Sequence, residues 1–560
     1  MTMPAFVEKF YRTPTASDLM YLAPLQKDIY KAFHVHGYKP GITHVYSNFT
    51  NRSGRLHSVP NSTHVIHAGL QYYILKHLIQ EWNETFFKVP KKQAVAEYSR
   101  VIEGALGKKI KTKHIEALHD LGYLPIRIKS LPEGARVPYG VPTFVVTNTV
   151  AGFHWLTNLI ETTESCETWQ ISTSATIAYE FRRRFELSSL AKAVIKFMGH
   201  DFSYRGMGGG TQHAAMSGFG HLCSFAGSDT IPAGLFAERY YGAEIGKELV
   251  FASVDATEHS VMCSWGPDEE LECLTYLMTK ATPKGIVSIV SDTFDFWKLV
   301  TEYLVELKDI IMNRDGTVVI RPDSGDPVKI VCGDVERYGD MEEAEEHFGN
   351  IAYQMNEEDE VWWRQTEPET YNIRIGSTYY RVTVTLGGAE FEEVTPTAQM
   401  KGLIECLWDI FGGTIVDGKK LLDSHIGAIY GDSINLKRQD EIITLLEDKG
   451  FVPSVVLGIG SFSYNFCSRD SQGSAVKATN VQFGEGNHVA IFKDPKTDTK
   501  KKSAKGLLRV DMIDGEYVLR DNVTPEEEEG GCLETVFENG ELVKYTTLAE
   551  IRARIDATFA

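Results

Sequence analysis

Between about residues 165 and 480 the chain repeats one unit: an apolar stretch that runs into a polar or glycine-containing turn, with helical periodicity following several of them. "AVIKFMGHDFSYRG", "VFASVDATEHS", "GIVSIVSD", "TVVIRPDSG", "IGAIYGDS" and "VVLGIGSFS" carry the pattern. Unbroken apolar runs of this kind fit interior strands of a parallel sheet, which are covered on both faces. In "TFDFWKLVTEYLVELKDII", Phe296, Trp297, Val300, Tyr303, Leu304, Leu307 and Ile311 recur at spacings of three and four and form one apolar helix face. Buried strands alternating with amphipathic helices imply an α/β fold, and this many repeats favours a closed or nearly closed barrel over an open sheet. The loops after the strands of such a barrel gather at one mouth, so residues distant in sequence meet there.

Three apolar strands end in aspartate: "IVSD" at Asp292, "IRPD" at Asp323 and "IYGD" at Asp432. Taken singly, each reads best as the cap of the next helix. Recurrence at one rim favours a second reading. Clustered carboxylates repel unless cations compensate, so the three suit magnesium held partly through water, or the hydroxyls of a sugar. Arg205, Arg321, Arg469, Lys477 and Lys493 supply the cationic and bidentate groups that a phosphorylated sugar requires. "GIGS" at 458–461 would let backbone amides approach a phosphate, although a lone glycine cluster is more often a turn. Phe202, Tyr204 and Tyr30 offer faces for a flat ring, with packing as the commoner role. Full G-x-G-x-x-G and G-x-x-x-x-G-K-[ST] patterns are lacking, which removes support for dinucleotide-fold and P-loop readings.

The flanks read as β-rich: "LPIRIKSLPEGARVPYGVPTFVVTNT" near the start, and "LLRVDMIDGEYVLRDNV", with its Asp-Gly turn, near the end. The expected organisation is a β-rich domain assembled from residues 1–155 and 481–560 around a barrel at 156–480. An acidic segment at about 333–400 breaks the rhythm as an insertion with strands of its own. The formal charge of −19 argues against a surface that coats nucleic acid. No apolar run approaches a membrane span, no secretory leader is visible, and the eight cysteines are scattered without a C-x-x-C pair, so a reducing cytoplasm is the expected compartment.

"HDFSYRG", "GSDT", "ASVDATEHS", "SIVSD", "IRPDSGDP", "YGDS" and "FKDP", in this order, with "DIYK" and "GLQYYI" upstream, closely resemble the nicotinamide phosphoribosyltransferase family. The resemblance covers nearly the whole chain outside the insertion. It implies a type II phosphoribosyltransferase barrel joined to a β-rich domain, a homodimer with sites at the subunit boundary, and formation of nicotinamide mononucleotide and pyrophosphate from nicotinamide and phosphoribosyl pyrophosphate. By the same resemblance Phe202 and the neighbouring subunit's Tyr30 would sandwich the base, and Asp229, with Arg321 nearby, would bind its carboxamide. Asp292 and Asp323 would hold ribose hydroxyls or hydrated magnesium. Arg205, His259 and, from the neighbour, Arg469, Lys477 and Lys493 would surround phosphates, while Gly431, Asp432 and Gly460 would meet the product's 5′-phosphate. Ser253, Ser288 and Ser461 join the substrate-binding set, and His259 matches the histidine phosphorylated when ATP hydrolysis is coupled. The sequence departs at Gly427, where relatives often carry arginine, so His425 or a residue from elsewhere would substitute in the phosphate grip. The alternatives are a nicotinate-specific enzyme, or a non-catalytic binding protein on the same fold.

Overall fold

The structure, a computed structural model, describes residues 20–358, 367–493 and 503–560. Seven parallel strands form the central sheet in the spatial order Gly227–Ser228, Gly199–Asp201, Val455–Ile459, Ile426–Tyr430, Val318–Arg321, Val287–Val290 and Asp255–Ala256. Val318 lies opposite both Val287 and Ile426, which fixes the register of the three central strands. All four residues of Val287–Val290, Ser288 included, are buried, as a strand covered on both faces demands. Val318 and Ile320 are fully enclosed, each contributing about 1.5–3 kcal/mol of transfer free energy. The two edges approach each other through Ala252, whose N–H donates to Ala226 O (2.7 Å) and whose carbonyl accepts from Ser228 N–H (3.0 Å). The sheet therefore curls into a nearly closed barrel, as the repeat predicts.

The helical face read in 294–312 is the one that packs: Phe296, Val300, Leu304, Leu307 and Ile311 are buried, with Trp297 and Tyr303 at the margin. In "AVIKFMGHDFSYRG" the apolar part is the helix Lys192–Met198, and the strand is only Gly199–Asp201.

A second, antiparallel sheet draws on both chain ends. Its order is Asn487–Ala490, Ala475–Phe483, Ile42–Thr50, Pro142–Asn148, Ile126–Ser130, Glu534–Glu538 and Glu541–Leu542. The chain enters this sheet at Ala475, so Lys477 is carried on it. The Asp-Gly turn joins Leu507–Ile513 to Glu516–Val523, with Asp514 and Gly515 both at positive φ, 49° and 82°. Glu133 fastens "GLQYYI" between the two units: its buried carboxylate accepts from Gly69 N–H (2.7 Å), Gln71 N–H (2.6 Å) and Tyr241 O–H (3.0 Å). Glu133→Ala strands three donors, and a loss of about 3 kcal/mol is expected in denaturant titration; a change under about 0.5 kcal/mol, the range of an indifferent surface site, would show that water replaces the acid.

The segment after Cys332 forms a four-stranded sheet of Glu336–Tyr338, Glu369–Ile375, Thr378–Thr385 and Gly388–Glu393, packed on the helix Met341–Glu358. Ala344, Phe348, Ala352, Ile373, Val382 and Val384 give it a small core of its own. Arg337 donates to Leu445 O (3.2 Å), and Lys449 and Tyr379 both bind Glu405, each at 2.8 Å. Leu445 and Lys449 lie at the C-terminal end of the helix Leu436–Asp448, which runs away from the barrel mouth. The insertion is thus anchored at the opposite end of the barrel.

Candidate active site

Each rim aspartate is released from capping by a residue three positions further on. The helix after Asp292 is capped by Asp295, whose side chain accepts from Lys298 N–H. The helix after Asp323 is capped by Asp326, which accepts from Val328 and Lys329 N–H, and the helix after Asp432 by Asn435, which accepts from Arg438 N–H. The sequence contained this signal, since Asp295, Asp326 and Asn435 stand immediately before their helices. The rim carboxylates are left for other partners.

Asp292 and Asp323 are joined through the backbone. Asp292 Oδ2 accepts from Asp323 N–H (2.9 Å) and from the Ser324 hydroxyl, while Oδ1 is buried without a hydrogen-bond partner among the described residues. His259 Nε2 stands 4.0 Å from both Asp292 Oδ1 and Asp323 Oδ2, with Nδ1 against Thr293 Oγ1 at 2.9 Å. Arg321 donates from Nη2 to Thr257 O (2.9 Å), but its Nε is buried and unpartnered, as is Ser288 Oγ on the adjoining strand. Gly431 packs so closely that an added Cβ would lie 2.3 Å from Asp323 Oδ1. Asp432 is exposed and accepts from the Ser433 hydroxyl (2.8 Å).

Phe202 follows the strand Gly199–Asp201 and is fixed by its N–H to Ile459 O (3.0 Å). Its ring crosses Gly458, where a Cβ would lie 2.7 Å from Cδ2. Beside it, 4.6 Å between ring centroids, lies His200, whose Nε2 donates to Asp229 Oδ1 at 2.9 Å. The Ser253 hydroxyl donates to the same oxygen. Burial pushes the Asp229 carboxyl up, but the hydrogen bonds from His200 and Ser253, with the charges of His200 and Arg321, outweigh it and hold the acid below its ordinary range. Arg205 occupies the exposed turn Tyr204–Gly206, and Gly206 abuts Ser461, which follows Gly460. Phe202, Asp229, Ser253, His259, Ser288, Asp292, Arg321 and Asp323 therefore gather at the barrel mouth, with Arg205, Gly431, Asp432, Gly460 and Ser461 on its rim.

Tyr30, Arg469, Lys477 and Lys493 assemble elsewhere. Burial lowers the Lys477 ammonium, Glu161 opposes this, and Arg52, Lys493 and Arg469 lower it further, which places four basic groups and one acid in one field. Arg469 also acts on Tyr30, which is 61% exposed. Among the described residues no hydrogen bond or ion pair joins this patch to the mouth. Within one chain the candidate residues thus form two groups. Sequence reading overlooked His200, although it lies in the quoted "HDFSYRG", and Arg52, which no motif marks. His425 does not replace the missing arginine at Gly427. It precedes its strand and is tied to Asp423 (2.7 Å), roughly 20 Å of strand from the mouth.

The mouth suits a hydrated divalent cation better than a protein-caged one. Among the described residues no group of three or more potential ligand side chains converges, while the unpartnered Asp292 Oδ1 and the nearby Asp323 carboxylate offer hard oxygen donors.

A model described as the nicotinate phosphoribosyltransferase (NAPRTase) family matches residues 197–358 and 385–541, leaving part of the insertion outside. The chain is 43% identical to the nicotinamide phosphoribosyltransferase of Acinetobacter baylyi over 548 residues, which spans 94% of this chain and 96% of that one. It is 29% identical over 451 residues to the nicotinamide phosphoribosyltransferase of Xanthomonas campestris, covering 78% and 80%. The crystal structure of nicotinate-nucleotide pyrophosphorylase from Pyrococcus furiosus shares the fold, with a TM-score of 0.51 at 13% identity over 98% of this chain and 97% of that one. On these matches, which run through the barrel and the two-ended sheet alike, the chain belongs to the nicotinate phosphoribosyltransferase family.

Proposed function

We propose that the chain transfers a phosphoribosyl group from phosphoribosyl pyrophosphate to nicotinamide, forming nicotinamide mononucleotide and pyrophosphate, as a homodimer whose mouth is completed by the neighbouring subunit. The observation that carries this reading is Asp229, bound by Ser253 and by the His200 that packs on the Phe202 ring, at the same mouth as the unpartnered Arg321 Nε and Asp292 Oδ1. The name shared by the two bacterial relatives supports the choice of base.

Displacement at an anomeric carbon passes through an oxocarbenium-like state, so the protein needs to align the attacking ring nitrogen and stabilise separating charges rather than supply a nucleophile. Phe202 would lie along one face of the pyridine ring and Tyr30 of the partner subunit along the other. Asp229 would accept a carboxamide N–H, and Arg321 would donate to the carboxamide oxygen. Asp292 and Asp323 would hold magnesium through water, and the ion would neutralise the departing pyrophosphate. Arg205, together with Arg469, Lys477 and Lys493 of the partner subunit, would surround the phosphates. His259 would accept the phosphoryl group if ATP hydrolysis is coupled to synthesis.

Incubation with phosphoribosyl pyrophosphate, magnesium and either base, with and without ATP, tests the reading: mononucleotide from nicotinamide is expected, and product from nicotinate alone would overturn it. Label from ATP on His259 reports the coupling. A carboxylate that accepts an amide N–H repels the carboxylate of nicotinate. Asp229→Ala is therefore expected to reduce the ratio of kcat/KM for nicotinamide over nicotinate by about tenfold or more, and an unchanged ratio would assign base choice elsewhere.

A further inference from the structure

His200 is held between a glycine and the acid. Its Nδ1 edge backs onto Gly227, where a Cβ would stand 2.9 Å away, and its Nε2 edge faces Asp229 Oδ1. The side chain is only 12% exposed and cannot swing freely, and the Phe202 ring closes one side at 4.6 Å between centroids. An ionised carboxylate only accepts hydrogen bonds, so Nε2 must carry the hydrogen. Ser253 donates to the same oxygen. Both protein donors therefore act on Oδ1, and among the described residues Oδ2 accepts none.

We infer that His200 is a positioning residue for base selection: it turns Asp229 so that the ionised Oδ2 is presented to an amide N–H and excludes an anionic ring substituent. This rests on the functional reading above and adds to it a residue two positions before the ring-stacking Phe202. Without the histidine, Ser253 alone restrains the carboxylate, which can then rotate or take up a proton. Either change weakens the attraction to an amide and the repulsion of a carboxylate together. A purely structural histidine would weaken both substrates alike.

Two amides of different reach separate these roles. The Nε2 of glutamine lies as many bonds from Cα as the histidine Nε2, whereas the Nδ2 of asparagine stops one bond short. His200→Asn is expected to lower the nicotinamide-over-nicotinate ratio of kcat/KM about tenfold, the value of one hydrogen bond to a charged group, chiefly through KM for nicotinamide. His200→Gln should restore the ratio to within about threefold of the parent. In an Asp229→Ala background, His200→Asn should produce no further change in the ratio. A parent-like ratio in His200→Asn, equal ratios in the two amide variants, or the same loss without Asp229 would overturn the inference. The histidine ¹⁵N spectrum of the unmodified chain provides a check that needs no variant: an Nε2–H tautomer at His200 is expected, and an Nδ1–H tautomer refutes it. If the unmodified enzyme shows no preference for nicotinamide, the functional reading itself fails, and that result is distinct from all of these.

Discussion

Asp323→Asn is expected to lower kcat about a thousandfold, the upper range for removing one preorganised electrostatic group from an active site. The substitution keeps the volume beside Gly431, where an added Cβ would lie 2.3 Å from Asp323 Oδ1, and keeps the backbone N–H that donates to Asp292 at 2.9 Å. Only the charge and one acceptor oxygen are lost. That charge lies 4.0 Å from His259 Nε2 and in the same field as Asp292, so its removal weakens both the hold on a hydrated cation and the stabilisation of a cationic ribosyl group. Asp432→Asn provides the contrast, because this acid is exposed and already accepts from the Ser433 hydroxyl at 2.8 Å; a loss of about tenfold or less is expected there. Steady-state kinetics at saturating substrates over a magnesium titration decide the matter. A kcat for Asp323→Asn within tenfold of the parent would remove Asp323 from the reacting centre.

The barrel was legible because its interior strands are largely apolar, as Val287, Ile289 and Val290 in one and Val318–Ile320 in the next are. Where the run is short, periodicity cannot separate strand from helix, and "AVIKFM" proved to be the helix before the strand. The strand-end aspartates were legible as a set, and the structure adds why each is spared: a second capping residue stands three positions later every time. His200 escaped notice because its meaning lies in a contact with Asp229 at the end of the neighbouring strand, and no local pattern encodes a hydrogen bond between separate strand ends. The insertion announced itself by composition, yet only the bonds of Arg337 to Leu445 and of Tyr379 to Glu405, which also binds Lys449, show that it sits at the end away from the mouth. His425 misled for a similar reason. Nearness in sequence to Gly431 and Asp432 means little along a strand, where six residues span roughly 20 Å.

Mixing two inactive variants tests whether the patch around Tyr30, Arg469, Lys477 and Lys493 completes a neighbour's mouth. Asp323→Asn removes a charge from the mouth, and Arg469→Ala removes one from the patch, which lies on a separate part of the same chain. In a homodimer with two shared sites, a mixed pair combines both lesions in one site and leaves the other wholly intact. After subunit exchange at equal amounts, half the dimers are mixed, and each has one working site in two. About a quarter of parental activity should therefore appear from two nearly silent preparations, as the symmetry of a shared interface requires. A patch that folded over its own mouth would behave differently, since every chain in the mixture would then carry a damaged site and activity would stay at the level of the unmixed variants. Lys477 is partly buried in a field where Arg52, Lys493 and Arg469 outnumber the one acid, Glu161, so a phosphate or another anion entering that field would relieve the remaining repulsion. The same mixture should thus regain high affinity for phosphoribosyl pyrophosphate in its one intact site, with KM at the parental value and kcat per chain at about a quarter. No recovery from a mixture shown to contain mixed dimers would place Arg469 outside the shared site while leaving the dimer itself standing.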